Sequence, residues 1–362
     1  MKIAVIGGGI NGIMSAWALA QEGYTVQLFE KNTIMSQTSS ASSKLLHGGL
    51  RYLENLEFRL VREGLQERKW WIDQAPHLAY PLRIYIPIYK DSRRPSWMFR
   101  IALKFYDILS GSKKLGKTKS YTSSEMSKEC SSLKSDGLKC GFSFVDGQMD
   151  DKVLGLWAAD RCMRDGVIIH ENSTVEKVDG DGNLWIDGVH KHFDRIINIA
   201  GPWAESLLKE SGFKSKHELD LVRGSHIVIE AKLYHGYLLE VPHEDRIFFV
   251  LPSQGQTLIG TTEVRQEINE PIKVSEDEIN YLICAYNHYF ESPIGSHDIV
   301  KRFSGVRPLI KSSMDPTYAT REYEIESYGR LTSVFGGKWT TARQLGKTVV
   351  RSIGYPILNI ST

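Results

Sequence analysis

The chain has 362 residues, of which 41% are hydrophobic and 24% are charged, and its formal net charge at pH 7 is +2. This length predicts two domains, and the composition is that of an ordinary globular protein, which excludes wholesale disorder. The nearly balanced charge excludes a global attraction to nucleic acid, and the sequence has no run of about 18 apolar residues that could span a membrane.

The four cysteines are few for this length and none of them forms a CxxC pair: Cys130, Cys140, Cys162 and Cys284. Reduced thiols are therefore expected, which fits a cytoplasmic location. The spacing predicts no metal site.

The N-terminal 30 residues carry a dinucleotide-binding fingerprint. A β-branched run at Lys2–Ile6 predicts a buried parallel strand rather than an export signal, and Thr25–Phe29 predicts a second strand. A helix is predicted between them, from about residue 13 to residue 22. The turn that precedes this helix has the spacing G-x-G-x-x-G, formed by Gly7, Gly9 and Gly12.

Each part of the fingerprint has a physical task. Gly7 allows the tight turn, Gly9 lets the backbone approach a pyrophosphate, and Gly12 allows close packing of helix and strand. The free N–H groups and the dipole of the helix N-terminus stabilise the phosphate charge. Glu30, which stands 18 residues after Gly12, is placed to accept hydrogen bonds from a ribose diol and disfavours the 2′-phosphate of NADP.

The remaining chain predicts alternating helices and strands. Helices are expected at 57–74, 152–164, 277–290 and from near 340. Strands are expected at 141–145, 167–170, 174–178 and 195–200, and the pattern over 222–262 is mostly strand. Residues 80–90 predict an edge strand because Pro87 cannot donate to a ladder.

The segment Ser39–Glu54 (SSASSKLLHGGLRYLE) closely resembles the flavin-contacting loop of FAD-dependent glycerol-3-phosphate dehydrogenases, which belong to the glycine/D-amino-acid-oxidase-like flavoproteins. Further blocks resemble that family in the same order along the chain: FYD at 105–107, DGQMDD at 146–151, AGPW at 200–203, RGSHIVI at 223–229, LIGTT at 258–262, FSGVRPL at 303–309 and FGGKWTT at 335–341.

This resemblance implies an FAD enzyme that transfers a hydride from C2 of sn-glycerol 3-phosphate to flavin N5, giving dihydroxyacetone phosphate. Electrons would pass to a quinone or another acceptor. We expect an α/β protein with a Rossmann-type FAD-binding domain formed by residues 1–75, 146–215 and 306–362. A second, α+β substrate domain, formed by 76–145 and 216–305, is expected to cap it with a mostly antiparallel sheet, and the substrate would lie between the two.

The fingerprint and the resemblance together predict the FAD contacts. These are Gly7, Gly9, Ile10, Asn11, Gly12, Glu30, Lys31, Thr38, Ser39, Ser43, Leu45, His47, Gly48, Gly49, Val175, Ala200, Gly201, Gly337, Lys338 and Thr340.

The reaction needs cations for a phosphate dianion and an acceptor for the hydroxyl proton. By resemblance, Arg51 and Arg307 face the substrate, and a guanidinium offers paired donors to phosphate oxygens. Tyr52 adds a phenolic donor. His226 is the candidate general base, since its ordinary pKa suits proton transfer at neutral pH. Lys338 is the candidate to stabilise developing negative charge.

Two departures from the family pattern lie beside the predicted flavin site. The block usually written GGKLTTYR has Trp339 and Ala342 here. We expect these changes to alter packing next to the cofactor.

Residues 93–119 predict a cationic, amphipathic stretch. Apolar side chains at Trp97, Met98, Ile101, Phe105, Ile108 and Leu109 fall near one helical face, among lysines and arginines. This pattern is typical of a helix that contacts the inner face of a membrane peripherally, and equally of a helix packed on the substrate domain with a basic flank.

Other functions remain open at this stage. A related FAD oxidase or dehydrogenase acting on an amine or a 2-hydroxy acid would share the fingerprint without needing two phosphate-facing arginines. A flavin-binding accessory protein with reduced catalysis and an NAD enzyme are further alternatives.

Overall fold

The computed structural model describes residues 1–54, 56–311 and 323–354; the side chain of Arg51 lies outside the described part. The α-helices are α1 (Ile10–Gln21), α2 (Phe58–Gln74), α3 (Ser96–Ser110), α4 (Ser123–Glu129), α5 (Asp151–Arg164), α6 (Ala204–Glu210), α7 (Glu276–Tyr289) and α8 (Ala342–Gly354).

The strands fall into two large sheets and one small one. In chain order they are β1 (Lys2–Ile6), β2 (Thr25–Phe29), β3 (Leu45–Leu46), β4 (Ala79–Tyr89), β5 (Lys119–Thr122), β6 (Leu138–Met149), β7 (Ile168–His170), β8 (Val175–Val178), β9 (Asn183–Ile186), β10 (Val189–His192), β11 (Arg195–Asn198), β12 (Leu219–Ile229), β13 (Gly236–Glu240), β14 (Ile247–Ser253), β15 (Gln256–Gly260), β16 (Val264–Arg265), β17 (Ile299–Ile310), β18 (Tyr323–Tyr328) and β19 (Leu331–Gly336).

The first sheet has the order β18-β19-β11-β1-β2-β7. Its ladders are parallel except for the antiparallel edge strand β18. Alternate residues of β1 enter different cores, because side chains of a strand point to opposite faces. Ile3 and Val5 pack with α1, α5 and α8, whereas Ala4 and Ile6 pack towards α6 and the three-stranded sheet β10-β9-β8. The sheet is therefore covered on both sides, as a parallel sheet requires.

The second sheet has ten strands in the order β16-β12-β15-β14-β13-β4-β6-β3, with β17 paired to β12 and β5 paired to β6. Its ladders are antiparallel apart from a short parallel one between β4 and β13. Helix α7 covers one face, where Ile227 packs with Leu282. Helices α2 and α3 cover the other, where Val228 belongs to the core around Phe99. The mixed α/β fold, with a largely antiparallel second sheet, is confirmed.

The prediction of an edge strand at residues 80–90 is wrong, because β4 lies inside the sheet between β6 and β13. The ladder between β4 and β13 is short: it pairs Ile84 with Gly236 and Tyr85 with Tyr237. Pro87 lies beyond that ladder, so its missing N–H costs no bond on that side.

The helices with predicted limits, α1, α2, α5, α7 and α8, occur within two residues of those limits, except that α1 begins three residues earlier, at Ile10. Helices α4 and α6 were not predicted. The division of the chain at 76, 146, 216 and 306 stays a prediction; strands β6 and β17 continue across two of those positions. Among the described residues, none of the helices has the length and apolar character needed to cross a bilayer.

Candidate active site

The turn between β1 and α1 leaves no space for side chains. Gly7 has a φ of +114°, and a Cβ there would lie 2.6 Å from the carbonyl oxygen of Ile199. A Cβ on Gly12 would lie 1.9 Å from the carbonyl oxygen of Gly7. Gly9 is the N-cap of α1 and supplies no side-chain cap. Three N–H groups of the turn are held within the protein, since Gly7 donates to the Phe29 carbonyl, Gly8 to Glu30 and Ile10 to Ser39. With no side chain in the way, a ligand can approach the N-terminus of α1, which suits a pyrophosphate.

Glu30 fixes the far side of the same turn. Its Oε2 accepts a hydrogen bond from the Gly8 N–H at 2.7 Å, and its Oε1 accepts one from the Asn32 N–H at 2.9 Å. Each carboxylate oxygen keeps a further lone pair for a ribose hydroxyl. The neighbouring Lys31 ammonium lies 3.4 Å from the centroid of the Trp203 ring, and burial lowers the pKa of Lys31 against the opposing effect of Glu30.

The serine-rich loop (residues 38–43) closes over the N-terminus of α1. Ser39 Oγ accepts a hydrogen bond from the Ile10 N–H at 3.0 Å, so a hydroxyl stands where the oxygen of an anion can accept the same bond. Thr38 Oγ1 donates to the Val306 carbonyl at 2.8 Å. The loop therefore joins the glycine turn to β17 of the second sheet.

Trp339, one of the departures from the family pattern, contacts both the serine-rich loop and α2. Its indole N–H donates to the Ser39 carbonyl at 2.9 Å, and its ring packs on Trp71 with a centroid distance of 5.0 Å. Trp71 in turn donates to the Thr340 carbonyl at 3.1 Å. The Trp339 side chain thus ties the segment after β19 to the serine-rich loop.

Two buried carboxylates, neither of them a predicted site residue, hold the serine-rich loop and the flavin-side loop that follows it (residues 44–49). Asp151 accepts hydrogen bonds from the Ser42 N–H and hydroxyl at 3.0 and 2.7 Å and forms an ion pair with Lys44. Asp146 accepts from the Gly48 N–H at 3.0 Å and pairs with Arg68 at 2.9 Å. Both acids belong to the DGQMDD block, which was the only available signal.

Two glycines also shape the wall of the site at the end of β19. Gly336 and Gly337, at the end of β19, have φ values of +78° and +95°. A Cβ on Gly337 would lie 2.7 Å from Nδ2 of Asn11. The Oδ1 of Asn11 is buried and has no hydrogen-bond partner among the described residues. A buried acceptor of this kind is stabilised when a bound ligand donates to it.

Lys338 and Tyr52 meet beside this wall. The Lys338 ammonium lies 4.1 Å from the centroid of the Tyr52 ring, which is a cation–π contact. His47 is tilted against the same ring at 6.1 Å. A Cβ on Gly49 would lie 2.3 Å from this ring, so Tyr52 packs directly on the backbone of the flavin-side loop.

His226 is held rigidly in β12. Its ring stacks on Phe303 of β17 at 4.9 Å, and its Nε2 lies 2.9 Å from the Ser43 hydroxyl. A Cβ on Gly260 would lie 2.2 Å from the imidazole ring. Burial, with smaller contributions from the charges of Arg307 and Lys44, lowers the pKa of His226 from 6.5 to about 3. The imidazole is therefore neutral at neutral pH, and its Nδ1 is buried without a partner among the described residues.

Arg307 projects from β17 towards the same region. Its Nη1 pairs with Glu263 at 3.2 Å and its Nη2 donates to the Thr262 carbonyl at 2.9 Å. Gly224 on the facing strand makes room for it, because a Cβ there would lie 2.7 Å from Nη2. Glu263 directly follows the LIGTT block and was not foreseen as part of the site.

A single cavity of about 440 Å³ joins these features. It is lined by the glycine turn, the serine-rich loop, His226, Arg307, Lys338 and Tyr52, and by Leu45, His47, Val175, Ala200, Gly201 and Thr340. Of the predicted site residues, Gly48 is not part of this lining, and the Arg51 side chain lies outside the described residues. The glycine cradle and the buried Asn11 acceptor fit FAD.

Comparison with known proteins agrees with this geometry. The model of the family described as FAD dependent oxidoreductase matches residues 2–350. The chain belongs to this family. FAD is accordingly its cofactor, and the predicted assignment to the flavoprotein oxidoreductases is confirmed.

Two curated relatives share about the same identity with the chain. A glycerol-3-phosphate dehydrogenase of Pseudomonas aeruginosa is 38% identical, over 97% of this chain and 71% of the relative. A D-erythritol 1-phosphate dehydrogenase of Brucella abortus is also 38% identical, over 95% of this chain and 71% of the relative.

A solved structure shows the same fold. The glycerol-3-phosphate dehydrogenase from Bacillus halodurans complexed with FAD superposes with a TM-score of 0.78 at 24% identity, covering 98% of this chain and 64% of that one. The chain thus spans less than two thirds of the length of this structural neighbour.

Proposed function

We propose that the chain oxidises sn-glycerol 3-phosphate at C2 to dihydroxyacetone phosphate. The observation that carries this proposal is the arrangement of Arg307, His226 and Lys338 around the cavity onto which the glycine cradle opens. Arg307 and Lys338, which are cations suited to a phosphate, line the same cavity as the neutral imidazole of His226. This cavity adjoins the region where the redox cofactor would bind. The glycerol-3-phosphate dehydrogenase among the relatives at 38% identity supports the same substrate.

FAD, when bound, supplies the two-electron oxidation. The chain then has to orient the substrate and take the hydroxyl proton. Arg307 binds the phosphate with paired guanidinium donors, Tyr52 adds a phenolic donor, and Lys338 stabilises negative charge that develops on the C2 oxygen. Arg51 is retained as a further phosphate ligand on the resemblance alone.

His226 is proposed to accept the C2 hydroxyl proton. A base has to be unprotonated before the reaction, and burial keeps His226 neutral at any pH well above about 3. An anionic substrate beside Arg307 offsets the positive field that helps to lower this pKa, so substrate binding raises the proton affinity of the imidazole. A His226→Gln variant that keeps its FAD and turns over at the wild-type rate would remove this assignment.

The Brucella abortus relative supports a second candidate substrate, D-erythritol 1-phosphate. Both reactions oxidise a secondary alcohol of a polyol phosphate, so the same cations and base serve either one. Initial rates of the holoprotein with an artificial dye acceptor should be compared for the two substrates. We expect the higher kcat/KM with sn-glycerol 3-phosphate; a preference for the four-carbon substrate would replace it within the same mechanism.

The electron acceptor is proposed to be a quinone, reached through peripheral membrane contact. Helix α3 buries Phe99, Leu103 and Tyr106 against the second sheet, while Trp97 and Ile108 are 62% and 65% exposed. Ile101 and Phe105 are also exposed. The helix therefore packs on the second sheet by one face and offers an apolar surface, flanked by basic residues, on the other.

This membrane proposal is tested with vesicles. Anionic vesicles should bind the protein at low salt and release it as salt is raised, since the basic flank contributes electrostatic attraction. Absence of binding at low salt would exclude the membrane contact and leave the reaction itself unaffected.

A further inference from the structure

A second arginine, Arg246, stands behind Arg307 and is absent from the described lining of the cavity. Glu263 lies between the two guanidinium groups. Its Oε1 contacts Arg307 Nη1 at 3.2 Å, and its Oε2 contacts Arg246 Nε at 3.3 Å. The two arginines thus hold different oxygens of one carboxylate. The Glu263 side chain is 12% exposed and that of Arg246 is 18% exposed, so solvent screens this contact only in part.

Arg246 is fixed by neutral partners on its other side. Its Nη1 donates to the Tyr281 hydroxyl at 2.8 Å, and its Nη2 donates to the Thr261 carbonyl at 3.2 Å. The Tyr281 hydroxyl donates onward to Glu244 at 2.7 Å. Burial and this hydrogen bond raise the pKa of Tyr281, which therefore stays a neutral phenol. Glu263 is the closer carboxylate to Arg246, because Glu244 lies 4.0 Å away.

Glu263 reduces the positive charge available at Arg307, and Arg246 compensates for this reduction. A carboxylate 3.2 Å from Arg307 weakens the attraction of that guanidinium for a second anion, since the two anions repel each other. Arg246 offsets the negative charge of Glu263 from the side remote from the cavity. Arg246, Arg307 and Glu263 together carry a single positive charge, and Glu244, 4.0 Å from Arg246, is 43% exposed, so solvent screens its charge more strongly.

We propose that Arg246 is a positioning residue that sets the charge of the phosphate subsite through Glu263. Glu263 fixes the orientation of Arg307, and Arg246 lets it do so without cancelling the field that binds the phosphate. The inference rests on the proposed function only in that Arg307 faces the phosphate of the substrate. A purely structural alternative is that Arg246 anchors α7, through Tyr281, to the end of β15.

Charge rescue separates these two roles. The holoprotein is compared with the variants Arg246→Gln, Arg246→Lys and the double variant Arg246→Gln/Glu263→Gln. The Kd of inorganic phosphate is measured by calorimetry, and KM and kcat for sn-glycerol 3-phosphate are measured with a dye acceptor. Arg302→Gln is the matched control, because it removes the same charge from an exposed ion pair with Glu276 in the same sheet region.

The charge role predicts that Arg246→Gln raises the phosphate Kd and the KM about tenfold or more, with kcat changed less. The double variant should return both constants to within about threefold of wild type, and so should Arg246→Lys, which keeps the charge but not the paired geometry. Arg302→Gln should leave both unchanged. Flavin content and circular dichroism identify any variant that has not folded; Arg246→Lys then decides.

Other outcomes would overturn the inference, the proposed substrate or both. If the double variant and Arg246→Lys are as impaired as Arg246→Gln, Arg246 acts through packing and the inference is overturned. If phosphate binding shows the rescue while sn-glycerol 3-phosphate is not oxidised, the inference stands and the proposed substrate is wrong. If the wild type neither oxidises this substrate nor binds phosphate, both are overturned.

Discussion

The two sides of the cavity are built by different means. On the side of the first sheet, the backbone shapes the site: Gly7, Gly9 and Gly12 clear the space at the N-terminus of α1. On the side of the second sheet, side chains form the site, with His226 from β12, Arg307 from β17 and Glu263 from the segment after β15. The glycine turn of the first kind of site is set by residues close in sequence, although Ile199 and Gly337 also pack on it. The second depends on strand pairing across about 80 residues, as in the register of His226 with Phe303.

The comparison predicts that the backbone side tolerates no added atom. In Gly12→Ala the new Cβ would lie 1.9 Å from a main-chain oxygen, and no side-chain movement relieves such a contact. We expect the ratio of bound flavin to protein to fall at least about tenfold, because the turn must open to relieve the clash. The ratio of visible to ultraviolet absorbance of the purified protein measures this.

Gly354→Ala is the matched control for that variant. Within residues 1–54, 56–311 and 323–354, no atom lies within 4 Å of a Cβ added to Gly354, so flavin content should stay at the wild-type level. Wild-type flavin content in Gly12→Ala would mean that the glycine turn does not hold the cofactor.

The side-chain side should respond in catalysis rather than in cofactor binding. Arg307→Gln removes the guanidinium and leaves Glu263 beside the substrate, so kcat/KM for sn-glycerol 3-phosphate should fall about 100-fold or more. Flavin content should not change. Steady-state kinetics with a dye acceptor measures the first quantity, and the flavin spectrum the second. A variant that loses FAD but keeps the kcat/KM of its remaining holoprotein would place Arg307 on the cofactor side instead.

Burial of His226 should appear in the pH dependence of stability. The pKa of this group is lowered from 6.5 to about 3 in the fold, so the unfolded chain binds a proton in this window that the folded chain does not. The free energy of unfolding should therefore fall with decreasing pH, by up to about 1.4 kcal/mol per pH unit between the two values. Denaturant unfolding of wild type and His226→Gln at several pH values compares the slopes.

The variant lacks this proton, so its slope should be smaller by about one proton over the same range. The other histidines are common to both proteins and cancel in the difference. Equal slopes would show that His226 is not held in its neutral form.

The smallest effect is expected at α3, which lies outside the site. Ile108→Ser removes apolar area from the exposed face, and vesicle binding should weaken by a few fold, about 1 kcal/mol. The kcat with a soluble dye acceptor should be unchanged. Co-sedimentation with anionic vesicles measures the first, and unaltered binding would exclude this face as the contact.

The same contrast explains what the sequence could predict. The glycine turn, Glu30 and α1 follow from local spacing, and the α/β fold follows from the alternation of helices and strands. The position of β4 did not follow, because Pro87 suggested an edge and only the short ladder with β13 shows how an interior strand accommodates it.

The charges of the substrate side were also beyond local reasoning. Arg246, Glu263 and Arg307 meet through β17 and the segments around β14 and β15. Nothing in the spacing of 246, 263 and 307 reveals that one carboxylate bridges two guanidiniums. Likewise, the neutral state of His226 results from burial under Phe303 and Gly260, which a pKa of about 6.5 for an isolated histidine does not anticipate.

The most direct test of the account is an anaerobic titration of the purified holoprotein with sn-glycerol 3-phosphate, followed by the visible flavin band. We expect a yellow protein whose flavin band is bleached by this substrate and only shifted by inorganic phosphate. A flavin band that stays unbleached by sn-glycerol 3-phosphate, in protein with full FAD content, would contradict the proposed substrate while leaving the FAD family assignment in place.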